Sequence, residues 1–143
     1  MQNTYTTLIS VTALEQLLAE DEPLLLDCRH QLGDPDWGYS QYLAGHIATA
    51  RHADMDRDLA GTPGSRGRHP LPDLSSWVET LVTWGLDYDQ QVVVYDDAGG
   101  AFAARAWWML RWAGHEAVAV LDGGLAHWRQ PLISGPAPAT EPG

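Results

Sequence analysis

The sequence predicts an α/β domain with a mainly parallel central sheet and helices on both faces, and three observations carry that expectation. Two short runs, Leu24-Leu25-Leu26-Asp27 and Gln91-Val92-Val93-Val94-Tyr95, are apolar on successive residues, the pattern of strands covered on both faces. These runs alternate along the chain with segments whose apolar residues recur at helical spacing, which favours parallel strands joined by helices. The length of 143 residues with 45% apolar content suits one domain around one core.

Each element follows in order. Tyr5 to Ile9 alternates weakly and reads as a short strand. Ser10 then caps a helix in which Val11, Leu14, Leu17 and Leu18 share a face, ending in acidic residues before Pro23. After the strand Leu24 to Asp27, the polar stretch Arg29 to Trp37 carries Gly33 and Pro35 and reads as loop. Ser40 to Leu43 reads as a brief helix and Ala50 to Ala53 as a strand. Asp54 to Pro72, with three glycines and three prolines, reads as a functional loop. Leu74, Trp77, Val78, Leu81 and Val82 mark the next helix, capped either by Asp73 or by a Ser76–Glu79 capping box. Gln91 to Tyr95 is a strand, Ala101 to Ala113 a helix, Ala117 to Leu121 a strand and Gly124 to Arg129 a short helix. The Ala101 helix is apolar almost all round, so deep burial is expected, with Trp107, Trp108 and Trp112 as core or domain-contact residues. Residues 1–130 are read as the domain and 131–143, rich in Pro, Gly and Ala, as a linker-like tail.

Composition excludes several functions. The net charge is −11, which repels phosphate backbones and anionic lipid headgroups, so neither nucleic acid nor a membrane is an expected partner. All basic residues are arginine; without lysine, Schiff-base chemistry and a Walker-type phosphate loop are ruled out. The histidines show no metal spacing and the single cysteine, Cys28, cannot form a cysteine-based metal cage, so no metal and no cofactor is expected. His46 is expected to bond to neighbouring backbone. Met1-Gln2-Asn3-Thr4 lacks the features of a signal peptide, and the lone thiol suits a reducing compartment; a cytoplasmic location is the expectation.

In a parallel sheet, ligands gather beyond the carboxyl ends of the strands. Those ends carry Asp27-Cys28-Arg29, Tyr95-Asp96-Asp97 and Asp122-Gly123-Gly124. Together with "YLAGHIATA" (Tyr42 to Ala50), "GRHPLPD" (Gly67 to Asp73), "VVVYDDAGGAFAARAWWMLRWAG" (Val92 to Gly114) and "VAVLDGGLAHW" (Val118 to Trp128), the stretch "LLLDCRHQL" (Leu24 to Leu32) resembles the rhodanese, or sulfurtransferase, family. The matches run in family order across nearly the whole chain. They are most similar to the amino-terminal domain of tandem-domain thiosulfate or 3-mercaptopyruvate sulfurtransferases. That resemblance implies a rhodanese-like three-layer fold and a second, catalytic rhodanese domain carboxy-terminal to this chain, through which small anionic sulfur donors would be handled.

Active members resemble one another in a cysteine that follows the central strand and opens a loop of converging backbone N–H groups, a setting that favours a thiolate able to carry sulfur as a persulfide. Here the matching residue is Asp96, so the resemblance implies no catalytic residue in this chain and a degenerate loop of Asp96, Asp97, Ala98, Gly99, Gly100 and Ala101. Nothing in Asp97-Ala98-Gly99-Gly100 signals that its N–H groups are aimed as an active loop's are. Sulfur transfer by a parent enzyme, with this half in a structural or substrate-guiding role, is the first expectation; a stand-alone binding module without catalysis is the alternative. An aspartate after a central strand also resembles the nucleophile of haloacid-dehalogenase-type phosphatases and receiver domains, but those sites need a magnesium cluster and a lysine.

Cys28 reads as a buried structural thiol. Arg29 and Arg105 either line an anion site or pair internally; an arginine in an apolar helix calls for a carboxylate, with Asp27 or Asp96 expected to pair Arg105. Arg66, Arg68 and His69 form a local positive cluster that either guides an anionic donor towards a partner domain or holds its own loop down.

Overall fold

The computed structural model describes residues 4–31, 34, 36–55, 58–60 and 71–136. Five strands, β1 (Leu8–Ile9), β2 (Leu24–Asp27), β3 (Arg51–His52), β4 (Val92–Tyr95) and β5 (Val118–Leu121), form one sheet in the order β1-β5-β4-β2-β3, with every pairing parallel. Four helices connect or flank them: α1 (Val11–Glu20), α2 (Trp37–Ala44), α3 (Leu74–Thr83) and α4 (Ala103–Trp112).

Because successive side chains of a strand point to opposite faces, the three inner strands feed two separate cores. Leu24, Leu26, Val92, Val94 and Val118 meet Trp77 and Leu81 of α3 and Ala106, Met109 and Leu110 of α4. On the other face Leu25, Val93, Tyr95, Ala119 and Leu121 meet Leu14 and Leu17 of α1 and Tyr42 of α2. This three-layer arrangement explains the uninterrupted apolar runs, since both faces of β2 and β4 are fully buried. Trp77 ties the helices of the first layer together by donating its indole N–H to the Met109 carbonyl at 2.9 Å.

Local chemistry sets the element ends. Ser10 accepts the Ala13 N–H at 3.0 Å and starts α1, as its residue type dictates. α3 begins after Asp73, one turn before the position that a Ser76–Glu79 box would cap. α2 runs from Trp37, three residues earlier than its sequence suggests, because Gly38 lets the helix lie against the chain: a Cβ there would sit 2.1 Å from the Arg29 carbonyl oxygen. The expected Gly124–Arg129 helix is a 3-10 turn over Leu125–His127.

α4 departs from its expected all-round burial. Ala103, Ala106, Met109 and Leu110 are buried, whereas Trp108 is 47% exposed and stacks on Trp112 at the surface. Trp107 is partly buried and reaches the Thr6 carbonyl at 2.9 Å. Residues beyond Pro131 include an ordered stretch: His46 and Ile133 exchange backbone hydrogen bonds of 2.9 and 2.8 Å, and the Gly135 N–H reaches the Leu43 carbonyl at 2.9 Å.

Candidate active-site loop

The carboxyl end of β4 leads into a loop that closes on its own first residue. Asp96 is 1% exposed, and four backbone N–H groups converge on its carboxylate. Ala98 and Gly100 donate to Oδ1, each at 2.9 Å, while Phe102 and Ala103 donate to Oδ2, each at 2.8 Å. Gly99 and Gly100 make this possible with φ of 71° and 93°, a region that glycine enters freely. The last two donors are the unpaired N–H groups at the start of α4, which attract negative charge. The expectation that the loop's N–H groups are not aimed is therefore corrected: the cradle is formed, and a carboxylate fills it.

Asp97, Ala98, Gly99 and Ala101 are exposed around this cradle. The loop after β5 supports it from behind. Leu125 donates its N–H to the Asp96 carbonyl at 3.0 Å, and a Cβ on Gly124 would come within 2.7 Å of that oxygen. The double glycine Gly123-Gly124 is thus a close-approach device, with φ of 82° and 63°.

A second network sits at the end of β2. The Arg29 Nε approaches Asp27 Oδ1 at 3.1 Å and Oδ2 at 3.0 Å, and its Nη2 reaches Oδ2 at 2.7 Å and the Gly45 carbonyl at 2.6 Å. Tyr95 donates its hydroxyl to the same Asp27 Oδ2 at 2.9 Å and accepts the Ile47 N–H at 3.2 Å. Burial pulls the pKa of Arg29 down, but the hydrogen bonds and charge of Asp27 outweigh it and leave it raised. Burial and the nearby Asp27 charge push the Tyr95 hydroxyl up; the same two causes push Tyr42 up to about 12. Of the two roles open to Arg29, the structure shows the internal ion pair.

Arg105 does not pair with either carboxylate expected for it. Its Nε donates to the Leu59 carbonyl at 2.7 Å, Asp96 is taken by the loop amides and Asp27 by Arg29. Arg66 and Arg68, with His69, lie outside the described residues. Cys28 is 1% exposed, its Sγ lies 3.8 Å from the Leu26 carbonyl, and no loop amide is bonded to it. Burial pushes its thiol well up, and the charges of Asp27, Asp96 and Asp58 act in the same direction.

Sequence reasoning missed Tyr95, Gly45 and His52. Tyr95 reads as one more core residue of a buried strand, although the hydroxyl of a buried tyrosine needs a partner and Asp27 stood one strand away. His52 lies on the β3 edge with its side chain 6% exposed and its Nδ1 without a hydrogen-bond partner among the described residues. Burial lowers its pKa. His46 bonds to backbone as expected, its Nδ1 lying 2.8 Å from the Tyr42 carbonyl.

The Rhodanese-like domain family matches residues 10–131, a span that includes both networks. The chain belongs to the rhodanese family. A Pseudomonas aeruginosa protein named "Probable 3-mercaptopyruvate sulfurtransferase" is 49% identical over 125 residues, which is 85% of this chain and 44% of that protein. The 3-mercaptopyruvate sulfurtransferase of Escherichia coli K12 is 34% identical over 119 residues, 82% of this chain and 42% of its own length. The chain thus spans less than half the length of these curated relatives. Among solved structures, 3-mercaptopyruvate sulfurtransferase from Leishmania major superposes with a TM-score of 0.85 at 31% identity, over 96% of this chain and 39% of that one. The rhodanese fold accounts for the five-stranded parallel sheet and its two helical layers. In this rhodanese domain no helix among the described residues is long and apolar enough to cross a membrane.

Proposed function

We propose that this rhodanese domain serves a sulfurtransferase that moves sulfane sulfur from 3-mercaptopyruvate or thiosulfate to a thiophilic acceptor, and that it does so without carrying the sulfur itself. The observation behind this reading is the Asp96 carboxylate in the four-amide cradle. Sulfur transfer through a persulfide requires a thiolate whose sulfur attacks the donor's transferable sulfur and displaces its leaving group, sulfite from thiosulfate or pyruvate enolate from 3-mercaptopyruvate. A carboxylate forms no such S–S bond, and its charge in the cradle disfavours entry of a second anion. Cys28 offers no substitute, because its thiol is buried and held in the protonated form.

The domain then acts as structural support and substrate guide for a second, catalytic rhodanese domain carboxy-terminal to it. Relatives named as sulfurtransferases whose own length is more than twice the matched stretch leave room for such a second domain and support that reading. In it, Arg66 and Arg68 draw the anionic donor towards the partner, and residues 131–143 lead from domain 1–130 into it. Such a protein works in the cytoplasm.

The test is thiocyanate formation from thiosulfate and cyanide, or pyruvate release from 3-mercaptopyruvate, by the 143-residue chain. No turnover above the protein-free blank is expected. Turnover that disappears in Cys28→Ser but survives in Asp96→Asn would overturn the proposal.

A further inference from the structure

A groove of about 650 Å³ runs between α3, the end of α4 and the turn before β4. It lies at the amino ends of β4 and β5, the sheet edge opposite the Asp96 loop. We propose that this groove docks a basic, amphipathic segment of a partner polypeptide, with apolar side chains against α3 and arginine or lysine side chains against the rim.

The first ground is a second apolar face on α3. The helix buries Trp77 and Leu81 against the sheet, yet Leu74, Val78 and Val82 remain 43%, 41% and 42% exposed. These three are four residues apart and so form one stripe. An amphipathic helix needs one apolar face to join its core. Val78 and Val82 line the groove, and Leu86 extends it.

The second ground is charge. Asp87, Asp89 and Glu116 line the same groove and are exposed, and none forms an ion pair with a described residue. The last turn of α4 ends in its wall at Ala113 and Gly114, adding the negative end of a helix dipole. No arginine among the described residues lines it, and the ring of His115 is held 2.7 Å from the Gln90 carbonyl. Tyr88, 93% exposed on the turn, presents an aromatic face of the kind that cations favour. An apolar floor with an acidic rim selects a ligand that is apolar and cationic together. A second copy of this chain is disfavoured as the occupant, because each copy carries a net charge of −11.

The proposal is independent of the reading of Asp96 and is tested on the full 143-residue chain by fluorescence anisotropy. The probe is a short fluorescein-labelled peptide of leucine, alanine and arginine, compared with the same peptide carrying glutamate for arginine. The arginine peptide is expected to bind and the glutamate peptide not. Val78→Asp and Val82→Asp make the protein more acidic, so diffuse attraction would keep or strengthen binding, whereas docking in the groove weakens it on the order of tenfold. Asp87→Asn with Asp89→Asn should weaken binding and flatten its salt dependence, while Asp122→Asn at the far edge leaves it unchanged. Thermal melts matching the wild type show that these exposed substitutions leave the fold intact. No binding, binding indifferent to both valine substitutions, or a dimer that Val82→Asp dissociates would each overturn the proposal.

Discussion

The direction of the N–H groups around residue 96 is set by backbone: Gly99 and Gly100 turn the chain through positive φ, and α4 begins three residues after Gly100. The donors therefore remain aimed when the side chain changes. Replacing Asp96 by cysteine places a thiol where four amides converge, and such a setting lowers a thiol pKa. Asp96→Cys should be alkylated by iodoacetamide with a midpoint below the ordinary thiol range, against a wild-type blank in which the buried Cys28 does not react. A midpoint at or above that range would show that the loop relaxes away from the new side chain. Sequence reasoning reached Cys28 and His46 correctly, since a lone thiol and an Ala-Gly-His-Ile stretch have few other uses. It did not reach the cradle or the Leu59 carbonyl that accepts from Arg105. Amide direction depends on torsion angles that residue type only permits, and an ion pair depends on which strands become neighbours.

Among the elements, α2 illustrates how packing overrides propensity. Trp37 and Gly38 are poor helix formers, and the sequence places the helix start at Ser40. The helix instead starts at Trp37 because Gly38 fits under the Arg29 carbonyl and Tyr42 is buried against the sheet, its hydroxyl donating to the Ala50 carbonyl. Gly38→Ala should therefore destabilise the protein, despite alanine's better helix propensity. The added methyl meets backbone rather than a movable side chain, and overpacking of this kind costs roughly 1–3 kcal/mol. A denaturant titration compared with Ala44→Gly, an exposed site on the same helix, would check it. A stabilised Gly38→Ala would mean that α2 does not touch Arg29 as described. The inner strands β2, β4 and β5 were legible to within a residue, because continuous apolar runs bounded by polar turns have one stable use, whereas the edge strand β1 covers only Leu8–Ile9 of the expected Tyr5 to Ile9. Ends of helices were less so, since they depend on what lies across the gap.

For the molecule as a whole, the linker-like composition after Pro131 conceals a strap. Ile133 bridges both ways to His46, Gly135 bonds to Leu43, and a Cβ on Gly45 would lie 3.2 Å from Leu132. Because Gly45 also accepts from Arg29 at 2.6 Å, the strap braces the Asp27–Arg29–Tyr95 network. Removing residues 131–143 should lower stability by about 2–4 kcal/mol, three hydrogen bonds at about 1 kcal/mol each with some apolar cover, read from urea unfolding midpoints. An unchanged midpoint would make these residues a linker only. The sequence by itself determined the fold class and the order of most elements, because each rests on local periodicity, and its resemblance to a known family pointed to the rhodanese domain. Only the tertiary structure decided that four amides close around Asp96, that Arg29 pairs inward and that α3 leaves a second apolar stripe exposed. Those outcomes depend on which surfaces meet once the sheet has formed, and distances between residues far apart in the chain are not written in either segment alone.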